Sequence, residues 1–90
     1  MIDLIDKEII TFLSSIDREN TQAIKDKYTT SISEDLNKGH ITTNVCMVAG
    51  SILKSNPKEL AEKLKKKLIQ LQCFEDVVSD GQGFINIFLK

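Results

Sequence analysis

The chain has no tryptophan, one tyrosine, one proline, one histidine and two cysteines in 90 residues, and each scarcity excludes something. Cys46 and Cys73 stand far apart, without a CxxC spacing, and with His40 as the sole histidine they cannot assemble a typical four-ligand zinc site. No metal is expected, and free thiols in the core are the simpler reading. A lone histidine without an assignable nucleophile and orienting acid, and the lack of a GxSxG elbow or a GxxxxGK[ST] phosphate loop, leave no candidate catalytic residues. No run of about 18 apolar residues could span a bilayer. Asp3, Asp6 and Glu8 break up the apolar N-terminus, which therefore does not read as a signal peptide. The expectation is a cytoplasmic chain with no membrane partner.

What is present is the composition of an ordinary globular domain, 41% hydrophobic and 28% charged. Residues 1–90 read as a single domain. A chain this short buries only about two-thirds of its unfolded surface, so a large interior active site is not expected. The formal net charge of −1 hides an uneven distribution. Residues 1–35 carry eight acids against Lys7, Arg18, Lys25 and Lys27, whereas residues 54–67 carry six lysines against Glu59 and Glu62. One face could meet phosphates although the total would not suggest it.

Ile2, Ile5, Ile9, Phe12, Leu13 and Ile16 recur at helical spacing, predicting an amphipathic first helix that ends near 17–20. The threonine-rich residues 21–33 read as a strand, 34–39 as a loop, and 40–42 as a short extended piece. Thr42 or Thr43 can cap a second helix carrying Val45, Val48, Ile52 and Leu53. The third helix has the clearest start, with Asn56 as N-cap, Pro57 at the first helical position and Glu59 three residues after the cap. Leu60, Ala61, Leu64, Leu68 and Leu71 form its apolar stripe. Residues 74–80 and 84–90 are β-prone runs around Gly81-Gln82-Gly83 and read as a hairpin. The order helix-strand-strand-helix-helix-strand-strand predicts an α+β, two-layer fold with helices packed on one face of a mainly antiparallel four-stranded sheet. The other face is left open.

Side chains alternate across a strand, so Ile85, Ile87 and Leu89 should face the core while Phe84, Asn86, Phe88 and Lys90 face away. Two phenylalanines bracketing an asparagine make an unusual outer face. A ring to stack on and an amide for hydrogen bonding are what hold an unstacked base. From the pattern alone, a small patch against a neighbouring domain is the simpler reading of the same face. Glu59 with Lys63, and Glu62 with Lys66, are favourable i,i+4 pairs, which leaves Lys58, Lys65 and Lys67 as candidate phosphate contacts or simply a solvated helix face. Ile69 falls about opposite the buried stripe, where docking on another domain would explain it.

Three segments together carry a family resemblance: Gly39-His40-Ile41-Thr42-Thr43-Asn44-Val45-Cys46-Met47, then Asn56-Pro57-Lys58-Glu59-Leu60-Ala61, then Gly81-Gln82-Gly83-Phe84-Ile85-Asn86. In order and spacing they resemble the N-terminal appended domain of arginyl-tRNA synthetases. The match runs over 39–90, with 1–38 agreeing mainly by position. The resemblance implies a tRNA-recognition module that docks on the D-loop of an arginine-accepting tRNA. It would support aminoacylation by a separate catalytic body of a class I arginine–tRNA ligase that uses ATP and Mg. The His-rich and Lys-Met-Ser-Lys type signatures of that body do not occur here, so the chain reads as a fragment of a larger enzyme and needs no cofactor of its own.

By the same resemblance Phe84 and Asn86 fall where the family touches a D-loop base; with Gln82 and Gly83 of the adjoining turn, and with Lys58, Lys65 and Lys67 from the charge pattern, they are the candidate RNA-binding residues. Asn44 reads as a cap or loop-fixing residue. Two positions depart from the family pattern. His40 replaces the usual aspartate, which touches a local loop hydrogen bond. Gln82 replaces the usual proline, which should loosen the turn while adding an amide near the base. The alternative is a structural module that packs on its parent enzyme or another protein through Phe88 and Ile69 without meeting RNA.

Overall fold

The computed structural model describes residues 1–33 and 39–90. Helix α1 (Ile2–Ile16) turns Ile5, Ile9, Phe12 and Leu13 into the core, following its period of apolar residues. A short helix α2 (Thr21–Lys25) and strands β1 (Thr30–Ile32) and β2 (Ile41–Thr43) follow. Helices α3 (Val45–Leu53) and α4 (Pro57–Gln70) come next, and strands β3 (Phe74–Ser79) and β4 (Ile85–Leu89) end the order. Helix α4 begins as its sequence dictates: Pro57 occupies the first turn, and the Asn56 side chain accepts a hydrogen bond from the Lys58 N–H at 2.9 Å. Its stripe of Leu60, Ala61, Leu64 and Leu68 is buried.

The four strands form one antiparallel sheet in the order β1-β2-β4-β3, so the last strand lies inside it. The β2–β4 register pairs Ile41 with Ile87, Thr42 with Asn86 and Thr43 with Ile85. Ile41, Thr43, Ile85 and Ile87, with Val77 of β3, are buried under the helices. Alternation turns Thr42 and Asn86 to the opposite, uncovered face, where both are half-buried. This is the predicted two-layer α+β arrangement, and in it all strand pairs are antiparallel.

Two parts of the sequence reading are corrected. The predicted strand over 21–33 is a helical turn followed by a strand of three residues. The Asp17 carboxylate accepts from the Asn20 N–H (3.1 Å) and from Asn20 Nδ2 (2.9 Å), and the Thr21 hydroxyl donates to the Asp17 carbonyl (2.9 Å). That local side-chain bonding starts α2 and lets it bury Ile24 completely, outweighing the β-propensity of the threonines. The final strand starts at Ile85, one residue later than predicted, because Phe84 belongs to the turn: its carbonyl accepts from the Asp80 N–H at 3.1 Å, while its own N–H goes to the Asp80 side chain instead of a strand partner. Of the predicted loop over 34–39, only Gly39 is among the described residues.

Asn44 fixes the chain as expected. Its Oδ1 accepts from the Thr29 N–H at 2.8 Å and its own N–H donates to the Thr29 carbonyl at 3.2 Å, tying the start of α3 to the residue before β1. Thr43 adds its hydroxyl as acceptor for the Val45 N–H at 3.3 Å. Both cysteines are free; Cys46 is buried, and that burial pushes its thiol up to about 12. Among the described residues no helix is long and apolar enough to cross a membrane and no cluster of His, Cys, Asp or Glu is placed to hold a metal ion.

Candidate nucleic-acid interface

The turn between β3 and β4 is built from Asp80. Its Oδ1 accepts from the N–H groups of Gln82 (2.8 Å) and Phe84 (3.2 Å), so one carboxylate oxygen gathers two backbone donors that the turn would otherwise leave to water. Gly81 and Gly83 supply the positive φ angles of 85° and 108° that the turn needs. Gln82 joins this turn through its backbone: its N–H, which a proline would lack, makes one of the two bonds to Asp80. Its side chain is exposed.

Gly83 is buried, and the space beside it is filled. A Cβ added there would lie 2.8 Å from the Met47 nitrogen, 2.9 Å from Met47 Cα and 3.0 Å from Pro57 Cβ. The turn thus sits directly on the starts of α3 and α4, and Gly83 serves to bring them together.

On the uncovered sheet face beside this turn lies an open depression of about 280 Å³ lined by Ser33, Thr42, Asp80, Phe84 and Asn86. The structure brings together the two residues singled out from the sequence, Phe84 and Asn86, both half-buried. The Thr42 hydroxyl donates to Asn86 Oδ1 at 3.0 Å. The charged member of the lining, Asp80, is an acid, so the depression suits an uncharged ring better than a phosphate. Thr42 and Asp80 were missed in the sequence. The Asp-Gly step could have flagged Asp80 as the organiser of a turn; Thr42 joins the site only through strand pairing.

His40 and Phe88 stand farther along the same strands. The Leu89 N–H donates to His40 Nδ1 at 2.9 Å, and the His40 N–H donates to the Ile87 carbonyl at 2.8 Å, so the imidazole extends the β2–β4 pairing by one side-chain bond. The ring of Phe88 meets that of His40 edge-on, with centroids 6.3 Å apart. His40 thus supplies a side-chain acceptor in this place.

The lysines are less concentrated. Lys58 follows Pro57, which touches the turn at Gly83, and so stands close to the hairpin end of the fold. Lys65 and Lys67 lie about 10 and 13 Å farther along the α4 axis, in the helical layer behind the sheet. Glu62 gives one carboxylate oxygen to the Ser79 hydroxyl at 2.8 Å, so that flank of α4 borders the edge strand β3. Ile69 is 49% exposed, as the sequence led one to expect.

The family profile described as the arginyl tRNA synthetase N terminal domain matches residues 3–89. The chain belongs to that family. Among curated arginine–tRNA ligases, the protein of Mesoplasma florum is 34% identical over 84 residues, taking in 84% of this chain and 15% of its own length. That of Rickettsia rickettsii is 35% identical over 71 residues, 79% of this chain and 12% of its own length. That of Wolinella succinogenes is 42% identical over 57 residues, 63% of this chain and 11% of its own length. The chain thus corresponds to a small part of these arginine–tRNA ligases, the part that carries the synthetase N-terminal domain.

Proposed function

We propose that this synthetase N-terminal domain is a tRNA-docking module of an arginine–tRNA ligase, and that it meets the D-loop with the depression beside the β3–β4 turn. The observation that carries the reading is the convergence of Phe84 and Asn86 on one open depression on the face of the sheet that the helices leave bare. Phe84 offers a ring on which a splayed base stacks, and Asn86 offers an amide to its edge. Gln82 and Gly83 act through the turn, Gly83 by holding it against α3 and α4, while the exposed Gln82 amide is available to the same nucleotide. Lys58, nearest the turn, contacts a phosphate, and Lys65 and Lys67 reach RNA that passes round the hairpin end. Adenylate formation from arginine, ATP and Mg belongs to the class I catalytic body, and the enzyme works in the cytoplasm. The exposed Ile69 favours that body as a second partner.

The test is aminoacylation by the full-length ligase carrying Phe84→Ala or Asn86→Ala. Each should raise the barrier for tRNA use by about 1–3 kcal/mol and leave arginine-dependent ATP–pyrophosphate exchange in the presence of tRNA unchanged once tRNA is saturating. Wild-type kcat/KM for tRNA in both variants would overturn the assignment.

A further inference from the structure

The amide of Asn86 has a neighbour that holds its orientation. Strand pairing sets Thr42 directly across from it on the uncovered face, and the Thr42 hydroxyl donates to its Oδ1 at 3.0 Å. An asparagine amide has one acceptor end and one donor end. With Oδ1 turned to a neighbour on a central strand, the Nδ2 group lies at the end of the amide turned away from that neighbour, on a residue that lines the depression. Thr42 is well suited to hold this arrangement. It is β-branched and so restricted at χ1, and it sits between Ser31 and Asn86 in a row that crosses all four strands, where strand pairing on both sides holds the backbone.

We propose that Thr42 is the positioning residue for base readout: by occupying Asn86 Oδ1 it turns Asn86 Nδ2 to the ligand, so the recognised base edge presents a hydrogen-bond acceptor, a ring nitrogen or a carbonyl. This rests on the reading of Asn86 as the base contact. An unfixed amide would accept from an exocyclic amine as readily as it donates to a ring nitrogen. The fixed one favours the base with an acceptor in reach, and the rotamer is set before the RNA arrives.

The experiment is a double-mutant cycle in the full-length ligase, read as kcat/KM for an unmodified arginine tRNA transcript, with Thr42→Val, Thr42→Ser, Asn86→Ala, Asn86→Asp and the Thr42→Val/Asn86→Ala pair. Thr42→Val, which keeps the branched shape and loses the hydroxyl, should lower kcat/KM about fivefold through KM, and Thr42→Ser should restore most of it. In the Asn86→Ala background Thr42→Val should change nothing further, because the amide it orients is gone. Asn86→Asp, which keeps the shape and loses the donor, should be at least as impaired as Asn86→Ala. If Asn86→Ala is impaired but Thr42→Val is not, or if Thr42→Val costs the same in both backgrounds, the positioning role is overturned while base contact by Asn86 stands. Near wild-type activity of Asn86→Asp overturns the donor assignment. A silent Asn86→Ala overturns base contact and the inference with it. Should Thr42→Val fold poorly by circular dichroism, Thr42→Ala, smaller and equally without a hydroxyl, takes its place in the cycle.

Discussion

Replacing Gly83 by alanine should be among the most damaging single-methyl changes this domain can suffer, and its cost can be worked from two terms. The first is conformational: φ is +108°, a region in which an L side chain is strained by about 1–3 kcal/mol. The second is steric. The new Cβ would come within 2.8 and 2.9 Å of the Met47 backbone and 3.0 Å of Pro57 Cβ, and since two of these atoms are helical backbone, relief requires α3 or the turn to move, at about 1–3 kcal/mol for overpacking. The total, about 2–6 kcal/mol, is a large share of the roughly 5–13 kcal/mol expected for 90 residues. Gly81 provides the control, since its φ is +85° but nothing lies within 4 Å of an added Cβ. Gly81→Ala should therefore carry the first cost alone. Urea denaturation followed by far-ultraviolet circular dichroism measures both, and the midpoint should fall distinctly further for Gly83→Ala. Equal losses in the two variants would refute the claim that the turn is seated on the two helix starts.

Leu64→Ala, at a fully buried position of α4, should destabilise the domain by about 2–5 kcal/mol in the same denaturation assay. Cys46, its thiol pushed up to about 12 by burial, should react with a disulfide reagent at pH 8 only at the rate of global opening, whereas half-buried Cys73 should react faster; denaturant should erase the difference. Tyr28 donates its hydroxyl to Asp6 at 3.0 Å, and burial together with that carboxylate raises the phenol well above its ordinary 10.0. Its contribution to stability is therefore complete below the ordinary phenol value and lost as pH rises beyond it, so absorbance at about 295 nm should show no native phenolate at a pH where the unfolded chain has ionised. Asp17 is held below its ordinary 3.8, first by the Asn20 side chain and then by the Asn20 N–H. The stabilisation of α2 should persist above that ordinary value and fade as pH falls through the lowered one, visible as faster amide exchange at Ile24, whose N–H bonds to the Asn20 carbonyl.

What could be read from the sequence was what short-range chemistry decides. The Asn56-Pro57 start and four of the five stripe residues of α4, Leu71 being only half-buried beyond its end, and the alternation that buries Ile85 and Ile87 while leaving Asn86 outside, depend only on neighbours within a turn or a strand. The failure at 21–33 was also local: the Asp17–Asn20 side-chain bond competes with threonine β-propensity, and only one buried residue, Ile24, rewards the helical turn. The Thr42–Asn86 and His40–Leu89 contacts were illegible for a different reason. They join positions 44 and 49 residues apart through a register that no local pattern specifies. The candidate site was thus half legible, as Phe84 and Asn86 without the threonine that orients the amide or the acid that shapes the turn.

The place of β4 has a consequence for how the fold is made. Strand β4, paired on both sides, follows every other element in the described chain, so β2 lacks its second neighbour and β3 lacks its partner, and both lack the packing of Ile85 and Ile87, until that stretch is available. During synthesis the preceding helices would wait with an incomplete core and two bare strand edges. Completion should come as one late, all-or-none closure governed by contacts distant in sequence. A premature stop even a few codons before Ile85 would be expected to leave an aggregation-prone remnant instead of a slightly weakened domain.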